Sequence, residues 1–433
     1  MLPAILFCLD RPTLPRLATC HYDTPSISVL TTEVLEQIVD VSKENRKTLG
    51  ACGLAGRQFL PRTRLHLFAS IALGSPRIDI SRRGGATYPT DLTRCDVLLD
   101  ILRANPVLAL HVAELVLTEG GHPNLTVFWI SESTTLVPVV NLLHNLQSFS
   151  IRCVQALHCQ VRPVLATTLQ MCIARPFVRS IEIAALEVYD VGALFAAFDC
   201  DVPGRVLDCL RLSDVTFAED WDANDAPSAA SPLVVHALNA AFHFEDPDQG
   251  QLLDILSGPL PLIAISRVHH LRLTVGHDLD MFRKWLELTA PSLEQLDLRF
   301  VDDTILLDTV TDAVQNPPTL RLRVLSLEES INAVSKCFDI LNALLAPDLR
   351  EITLRLRPGN TFNMDHCRPI IVSLITHATE LFPRLTRVRL DLGQRFSDKW
   401  HEDLLDLCED LEVYKSGLLV VVVRIFVCSR EIR

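Results

Sequence analysis

A three-position apolar pattern recurs along most of the chain: an apolar residue, two spacers, a second apolar residue, one spacer and a third apolar residue. Ten copies follow one another, the fifth of them degenerate: Val112-Leu115-Leu117, Leu146-Phe149-Ile151, Val178-Ile181-Ile183, Leu207-Leu210-Leu212, Val235-Leu238-Ala240, Val268-Leu271-Leu273, Leu293-Leu296-Leu298, Leu322-Leu325-Leu327, Leu349-Ile352-Leu354 and Leu385-Val388-Leu390. The copies lie about 30 residues apart, which is the self-similarity of a solenoid of stacked repeats. Because the last two positions alternate with other residues, each copy predicts a strand half-buried in a parallel sheet.

Helix-like apolar runs lie between these copies, for example at 252–256, 281–286 and 338–345. We therefore expect an α/β fold over 111–433, a solenoid with parallel strands on its concave side and helices on its convex side. The β-prone tail predicts a closing strand at 418–423, set 33 residues after Leu385, and 411–413 is the competing assignment.

Ahead of the array, residues 29–73 carry a different, helical pattern. The apolar positions of a first helix are Val34, Leu35, Ile38 and Val41. Thr31 or Thr32 can cap this helix, and Glu33 stands where the helix dipole favours an acid.

Two further short helices are expected in the same segment. The second begins near Arg46, with Leu49, Cys52 and Leu54 as its apolar positions and Gly50, Gly53 and Gly56 weakening it. The third has Pro61 in its first turn, buries Leu65 and Phe68, and exposes Arg62 and Arg64. A strand-like run at 70–73 ends the segment.

The remaining boundaries come from proline content and capping signals. Residues 1–28 read as a loose N-terminal arm, and 74–110 as a linker with a capping helix. That helix is capped by Asp91 or Thr93 and ends at Asn105-Pro106.

The helical segment resembles an F-box. The resemblance is carried by Leu30-Thr-Thr-Glu33-Val-Leu35, Leu49-Gly-Ala-Cys52-Gly-Leu54, Arg57-Gln-Phe59 and Leu67-Phe68, about one tenth of the chain. The segment departs from the family pattern at Thr31, where proline is usual, at Ala55 and Gly56, and at Phe59, where tryptophan is usual. With the array behind it, the chain resembles the large fungal family of F-box/leucine-rich-repeat proteins.

This resemblance implies a binding surface for a Skp-family adaptor and, through the adaptor, a cullin. The implied adaptor-binding residues are Leu30, Glu33, Val34, Leu35, Ile38, Leu49, Cys52, Leu54 and Phe59. It also implies that the repeats bind a target protein, whose identity the sequence does not specify.

Composition and charge limit the classes of function and the cellular compartments that remain. The 433 residues carry a net charge of −13, which argues against sequence-independent nucleic-acid binding. No run reaches the ~20 apolar residues of a membrane span, and the N-terminus lacks the basic region of a signal peptide. The 13 cysteines are scattered singly, a pattern typical of free thiols in a reducing compartment, so we expect the cytoplasm or nucleus.

Candidate chemistry is sparse. His269 and His270 are adjacent on a strand and point to opposite faces, while Cys153, His158 and Cys159 do not match a zinc spacing. The Arg82-Arg83-Gly84-Gly85 run lacks a phosphate-loop context, and the acidic pairs Asp278-Asp280, Asp302-Asp303 and Glu328-Glu329 follow strands as ordinary turns. We expect no catalytic residue, metal or cofactor, and therefore no enzyme.

Two hypotheses follow. The first is a substrate-receptor subunit of a cullin-type ubiquitin ligase, with Arg57, Arg62 and Arg64 suited to an acidic adaptor. The second is a non-catalytic repeat-protein scaffold whose F-box is degenerate.

Overall fold

The computed structural model describes residues 31–74, 94–119, 129–153, 159–160, 163–188, 191–198, 204–217, 232–241, 262–275, 279–300, 320–330, 341, 346–357, 364–392 and 419–423. The predictions for the arm at 1–28, for Leu30, for the run at 82–85, for the helix at 252–256 and for the strand at 411–413 lie outside them. The chain divides into two compact units, the first ending at Leu67 and the second beginning at Phe68.

The first unit contains three helices at the predicted positions. They are α1 (Thr32–Val41), α2 (Arg46–Ala55) and α3 (Leu60–Ala69), and a 3₁₀ turn at Arg57–Phe59 precedes α3. The turn lies against both α1 and α2. The last residues of α3 belong to the second unit.

The helices α1 and α2 differ at their N-termini. Thr31 stands at the N-cap position of α1, one of the two predicted candidates, but its side chain makes no capping hydrogen bond. The side chain of Asn45 caps α2 by accepting hydrogen bonds from the backbone N–H groups of Lys47 and Thr48, each at 3.1 Å. This cap satisfies two donors that the start of a helix would otherwise leave unpaired.

Few side chains are buried in the first unit. Among its described residues they are Leu35, Val39, Leu49 and Thr63. Val39 is fully buried although the predicted apolar positions of α1 omit it, and Leu65, expected to be buried, is half-buried. The helices of this unit therefore pack around a small core.

The second unit is built on one parallel sheet, which has thirteen strands among the described residues. The strands are β1 (Ser70–Gly74), β2 (Glu114–Glu119), β3 (Ser148–Cys153), β4 (Cys159–Gln160), β5 (Ser180–Val188), β6 (Val206–Phe217), β7 (Val234–Ala241), β8 (His270–Val275), β9 (Gln295–Phe300), β10 (Val324–Ser330), β11 (Glu351–Arg357), β12 (Arg387–Leu392) and β13 (Leu419–Val423). They follow one another across the sheet in chain order, except that β4 pairs beside β5. This arrangement is consistent with a solenoid of stacked repeats and confirms the predicted α/β class with its parallel sheet.

The register of the sheet follows the predicted repeat. Phe149 pairs with Leu115 on one side and with Ile181 on the other, so second apolar positions stand opposite one another. The same alignment continues through Leu238, which belongs to the degenerate copy, to Val388 in the tenth. Stacking of like positions gives one continuous apolar column, because each strand repeats the orientation of its neighbour.

The sheet extends beyond the predicted copies at both ends. The first strand, β1, pairs with β2 and follows α3 directly, within the segment that the sequence analysis assigned to the helical module. At the other end, the predicted closing strand at 418–423 is present as β13. Leu419 rather than Val421 stands opposite Val388, so the last interval is two residues shorter than the spacing from Leu385 predicts.

Helices cover the apolar face of the sheet. The described helices of this unit are α4 (Arg94–Ala104), α5 (Pro106–Ala109), α6 (Trp129–Glu132), α7 (Leu136–Leu142), α8 (Pro163–Ala174), α9 (Val191–Phe198), α10 (Leu279–Thr289) and α11 (Met364–Leu381), with a 3₁₀ turn at Ile265–Arg267. Their buried residues, such as Leu99, Leu169 and Trp285, share one hydrophobic core with the strand residues. The helix predicted to end at Asn105-Pro106 is α4, and the predicted run at 281–286 lies in α10.

Candidate interaction surfaces

The first unit exposes several large aliphatic side chains. Val34, Ile38 and Val41 lie at i, i+4 and i+7 along α1 and are all exposed, and Leu54 near the end of α2 is 85% exposed. Aliphatic side chains at this helical spacing form a stripe on one side of α1. Such a stripe is a candidate contact for a partner protein.

The structure separates the implied adaptor-binding residues into groups. Glu33, Val34, Ile38 and Leu54 are exposed, Cys52 and Phe59 are half-buried, and Leu35 and Leu49 are buried. The two buried leucines support the unit itself, whereas the exposed group is available to a partner. Leu30 lies outside the described residues.

An ion-pair cluster joins α1 to α3 within the first unit. Arg62 donates two hydrogen bonds to the two carboxylate oxygens of Asp40, at 2.6 and 2.7 Å, and His66 Nε2 lies 2.7 Å from Asp40 Oδ1. The hydrogen bonds from Arg62 and then from His66 lower the pKa of Asp40 below its usual range. Arg62 is thus engaged within the unit, whereas the sequence analysis expected it to be exposed for an adaptor.

The second candidate surface is the face of the sheet opposite the apolar columns, which we call the polar face. It carries the residues that alternate with the apolar columns. On β3 these are Ser148, Ser150 and Arg152, and on β9 they are Gln295, Asp297 and Arg299. Because residues paired in register on neighbouring strands face the same side of the sheet, the residues of the polar face can be identified on each strand in turn.

Small and neutral side chains dominate the polar face over β2–β7. One charged contact in this part joins Arg152 to Glu182 at 2.8 Å, and Ser150 also donates to Glu182. Ser213, Ala237 and similar short residues occupy other outward positions there.

Charged side chains dominate the polar face over β8–β12. Arg272 donates to Glu328 at 3.3 Å, and Arg299 lies 4.0 Å from the same carboxylate. Further outward positions carry arginines and acids: Arg355, Arg387, Arg389, Glu351 and Asp391. Along one row of the sheet the charges alternate from strand to strand, in the order Arg299, Glu328, Arg355 and Asp391. Such a pattern favours recognition of a polar partner surface.

Asp297 is the most enclosed acid that the structure describes in this region. Its Oδ2 lies 3.1 Å from His270 Nε2, and its Oδ1 accepts a hydrogen bond from Gln295 at 3.2 Å. Burial is the largest single influence on the pKa of Asp297, and it raises that pKa. The hydrogen bonds from His270 and Gln295 and the charges of His270 and Arg355 act in the opposite direction, and together they lower the pKa below its usual value. The carboxylate is therefore held ionised within the polar face.

The predicted separation of His269 from His270 is visible in their contacts. His269 Nδ1 lies 3.1 Å from the Ser292 carbonyl oxygen, and its ring packs edge-on against His236, whereas His270 contacts Asp297. Within the described residues, three or more His, Cys, Asp or Glu side chains do not come together in a way that could hold a metal ion.

The described cysteines are free thiols: Cys52, Cys95, Cys153, Cys172 and Cys209. Burial raises the pKa of Cys95 to about 11 and that of Cys172 to about 12. These two thiols are therefore poor nucleophiles and act as small apolar core residues. His158 lies outside the described residues, and the side chain of Cys159 is likewise undescribed.

In comparisons with known proteins, the chain matches none of the protein-family models and none of the curated proteins. Across the helices that the structure describes, none is long and apolar enough to cross a membrane.

Proposed function

We propose that this chain is a non-catalytic substrate-receptor subunit of a cullin-type ubiquitin ligase. In this proposal the first unit binds a Skp-family adaptor as an F-box, and the leucine-rich-repeat-like array binds a target protein. The observation that carries the proposal is the exposed aliphatic group Val34, Ile38 and Leu54 in a unit with a small core of its own. Apolar side chains spaced along one face of an amphipathic helix are the anchors by which such a helix binds an apolar groove.

The implied adaptor-binding residues divide their roles in this proposal. The exposed ones enter the interface directly, and half-buried Phe59 contributes the edge of its ring. Leu35 and Leu49 are buried within the unit, so they act on adaptor binding through its fold. Arg57 and Arg64 remain exposed and can face acidic groups of the adaptor, while Arg62 holds Asp40.

The target protein binds the polar face in this proposal. If the solenoid curves as leucine-rich repeats do, this face is its concave side, and β8–β12 supply the densest set of charged groups there. The free thiols suit the cytoplasm or nucleus, where ubiquitin ligases act.

The test is a binding measurement between the full-length chain and a purified Skp-family adaptor. We expect saturable binding that Leu54→Asp and Ile38→Asp each weaken by about tenfold or more, because each buries a charge in an apolar contact. The matched control is Val107→Asp on α5 of the second unit, an aliphatic position that is 64% exposed and so lies between Ile38 and Leu54. Absence of native binding, while a consensus F-box protein binds under the same conditions, would overturn the proposal.

A second candidate function is an interaction scaffold with a degenerate F-box. Phe59, at the family's tryptophan position, is partly buried within the unit, which reduces the ring area available to an adaptor. The double substitution Thr31→Pro with Phe59→Trp should then create adaptor binding that the native chain lacks. Native binding as tight as that of a consensus F-box would eliminate this second candidate.

A further inference from the structure

Among the residues that the structure describes, Ser326 Oγ on β10 and Arg389 Nε on β12 are polar-face atoms buried without a hydrogen-bond partner, and Ser326 is 3% exposed. Both residues lie in one row of the sheet, because Ser326 pairs in register with Thr353 and Thr353 pairs with Arg389. Burying a donor unpaired costs free energy, so a ligand that accepts from these atoms would be bound favourably.

A further arginine stands beside this row. Arg355 follows Thr353 on β11 and stands in register between Glu328 and Asp391. The Glu328 carboxylate is engaged by Arg272 and approached by Arg299 from the β8–β9 side. The positive charge of Arg355 lowers the pKa of Asp297, and among the described residues the Arg355 guanidinium makes no hydrogen bond.

We propose that Ser326, Arg355 and Arg389 form a site for the carboxylate of an acidic side chain on the target protein. The inference rests on the proposed function, in which the polar face binds that target. A guanidinium presents a planar fork of N–H donors that matches the two oxygens of a carboxylate, and the Ser326 hydroxyl supplies a further donor. Arg389 Nε and Ser326 Oγ would then gain the acceptor that they lack in the free chain.

The neighbouring acids favour a carboxylate over a phosphate. Glu328 and Asp391 flank Arg355 in register, and Glu351 lies on the same face of β11. A phosphate group carries close to two negative charges and would be repelled more strongly by these acids than a singly charged carboxylate.

The experiment measures which peptides the full-length chain selects. A random decapeptide library is passed over the immobilised protein, and enrichment of Asp and Glu over Asn and Gln is counted by sequencing the bound fraction. We expect acidic enrichment of about tenfold, the ratio expected for a charge-assisted hydrogen bond. A second library with a fixed central phosphoserine competes with one that carries glutamate at the same position.

Two variants and one control localise the effect. Arg389→Gln should reduce the acidic enrichment to background, and Arg389→Lys should retain part of it, because lysine keeps the charge and loses the planar fork. The matched control is Arg103→Gln, an exposed arginine in the last turn of α4 and not on the polar face, which should leave the enrichment unchanged. A thermal unfolding curve equal to that of the native chain shows that each variant is folded.

The proposal is overturned if amide and acidic peptides are bound equally, if Arg389→Gln retains the acidic preference, or if phosphoserine is preferred over glutamate. Adaptor binding is measured separately and distinguishes the two claims. Adaptor binding without acidic selection removes this site and leaves the ligase role. Acidic selection without adaptor binding removes the ligase role and leaves the site.

Discussion

The strand array and the helical unit bury their apolar residues in different ways. In the array, each strand places two apolar residues in columns that continue from strand to strand, as Phe149 does between Leu115 and Ile181. In the helical unit, the described core is limited to Leu35, Val39, Leu49 and Thr63. Repetition lets one strand support its neighbours on both sides, whereas a small helical unit depends on each of its few buried groups.

In addition to its few buried side chains, the helical unit is stabilised by polar contacts. The Asp40 cluster ties α1 to α3, and Asn45 caps α2. Partly exposed ion pairs stabilise less than apolar burial does. We therefore expect residues 32–67 to open locally at a lower free energy than the strands of the array.

The largest effect should come from the array core. Phe149→Ala removes a fully buried ring from the apolar column and should cost about 3–5 kcal/mol, since the surrounding strands cannot close the cavity. Denaturant unfolding followed by far-ultraviolet circular dichroism measures this loss. Phe177→Ala is the matched control, because Phe177 is 59% exposed and its removal should change stability little. Equal losses in the two variants would contradict the burial of Phe149.

A similar deletion in the helical unit should have a more local effect. Leu49→Ala removes a fully buried side chain from α2 and should cost about 3 kcal/mol, most of it confined to residues 32–67. Hydrogen exchange measured by mass spectrometry should show faster exchange in those helices and unchanged exchange in β5–β12. Leu54→Ala, on the same helix but exposed, is the control. Loss of protection in the array as well would show that the two regions unfold together.

The repeat made the array predictable from sequence. Each copy repeats the same apolar spacing, and ten copies constrain the strand positions and the register together, even at degenerate Ala240. The register of the closing strand was harder to predict, because 418–423 is apolar at every position. Without an alternation of apolar and polar residues, the sequence does not indicate which residue stands opposite Val388.

The candidate surfaces were less predictable than the fold. Helical spacing identified Val34 and Ile38, but burial of Val39 depends on the tertiary packing of α1, which a single helix pattern does not contain. The pairing of Arg62 with Asp40 joins residues on different helices, and local spacing carries no signal for it. Likewise, the row from Ser326 to Arg389 becomes visible only after the register of β10–β12 is known.

The Asp40 cluster should make the stability of the helical unit depend on pH. Because the pKa of Asp40 in the folded chain lies below its unfolded value near 4, this stabilisation is present above about pH 4 and is lost as the pH falls further. Asp40→Asn should therefore speed hydrogen exchange of α1 and α3 at neutral pH, less than Leu49→Ala does, and the difference from the native chain should shrink in acid.

Glu44→Gln is the control for that experiment, since it removes an exposed acid of the same unit. It should leave exchange in α1 and α3 unchanged at both pH values. A difference between Asp40→Asn and the native chain that stays constant down to pH 3 would contradict a stabilising role for the ionised carboxylate.

The smallest effect, and the finest test of packing in the helical unit, comes from two glycines of α2. A Cβ added at Gly50 meets open space, so Gly50→Ala should stabilise the unit by about 1 kcal/mol through helix propensity. A Cβ added at Gly53 would lie 3.2 Å from Cγ2 of buried Thr63, which should cancel that gain. Thr63→Ser removes this methyl group, so adding Gly53→Ala in that background should restore a gain close to that at Gly50. Hydrogen exchange of α2 measures each difference, and an equal gain at both glycines in the native background would show that α2 and α3 are not packed as closely as this contact requires.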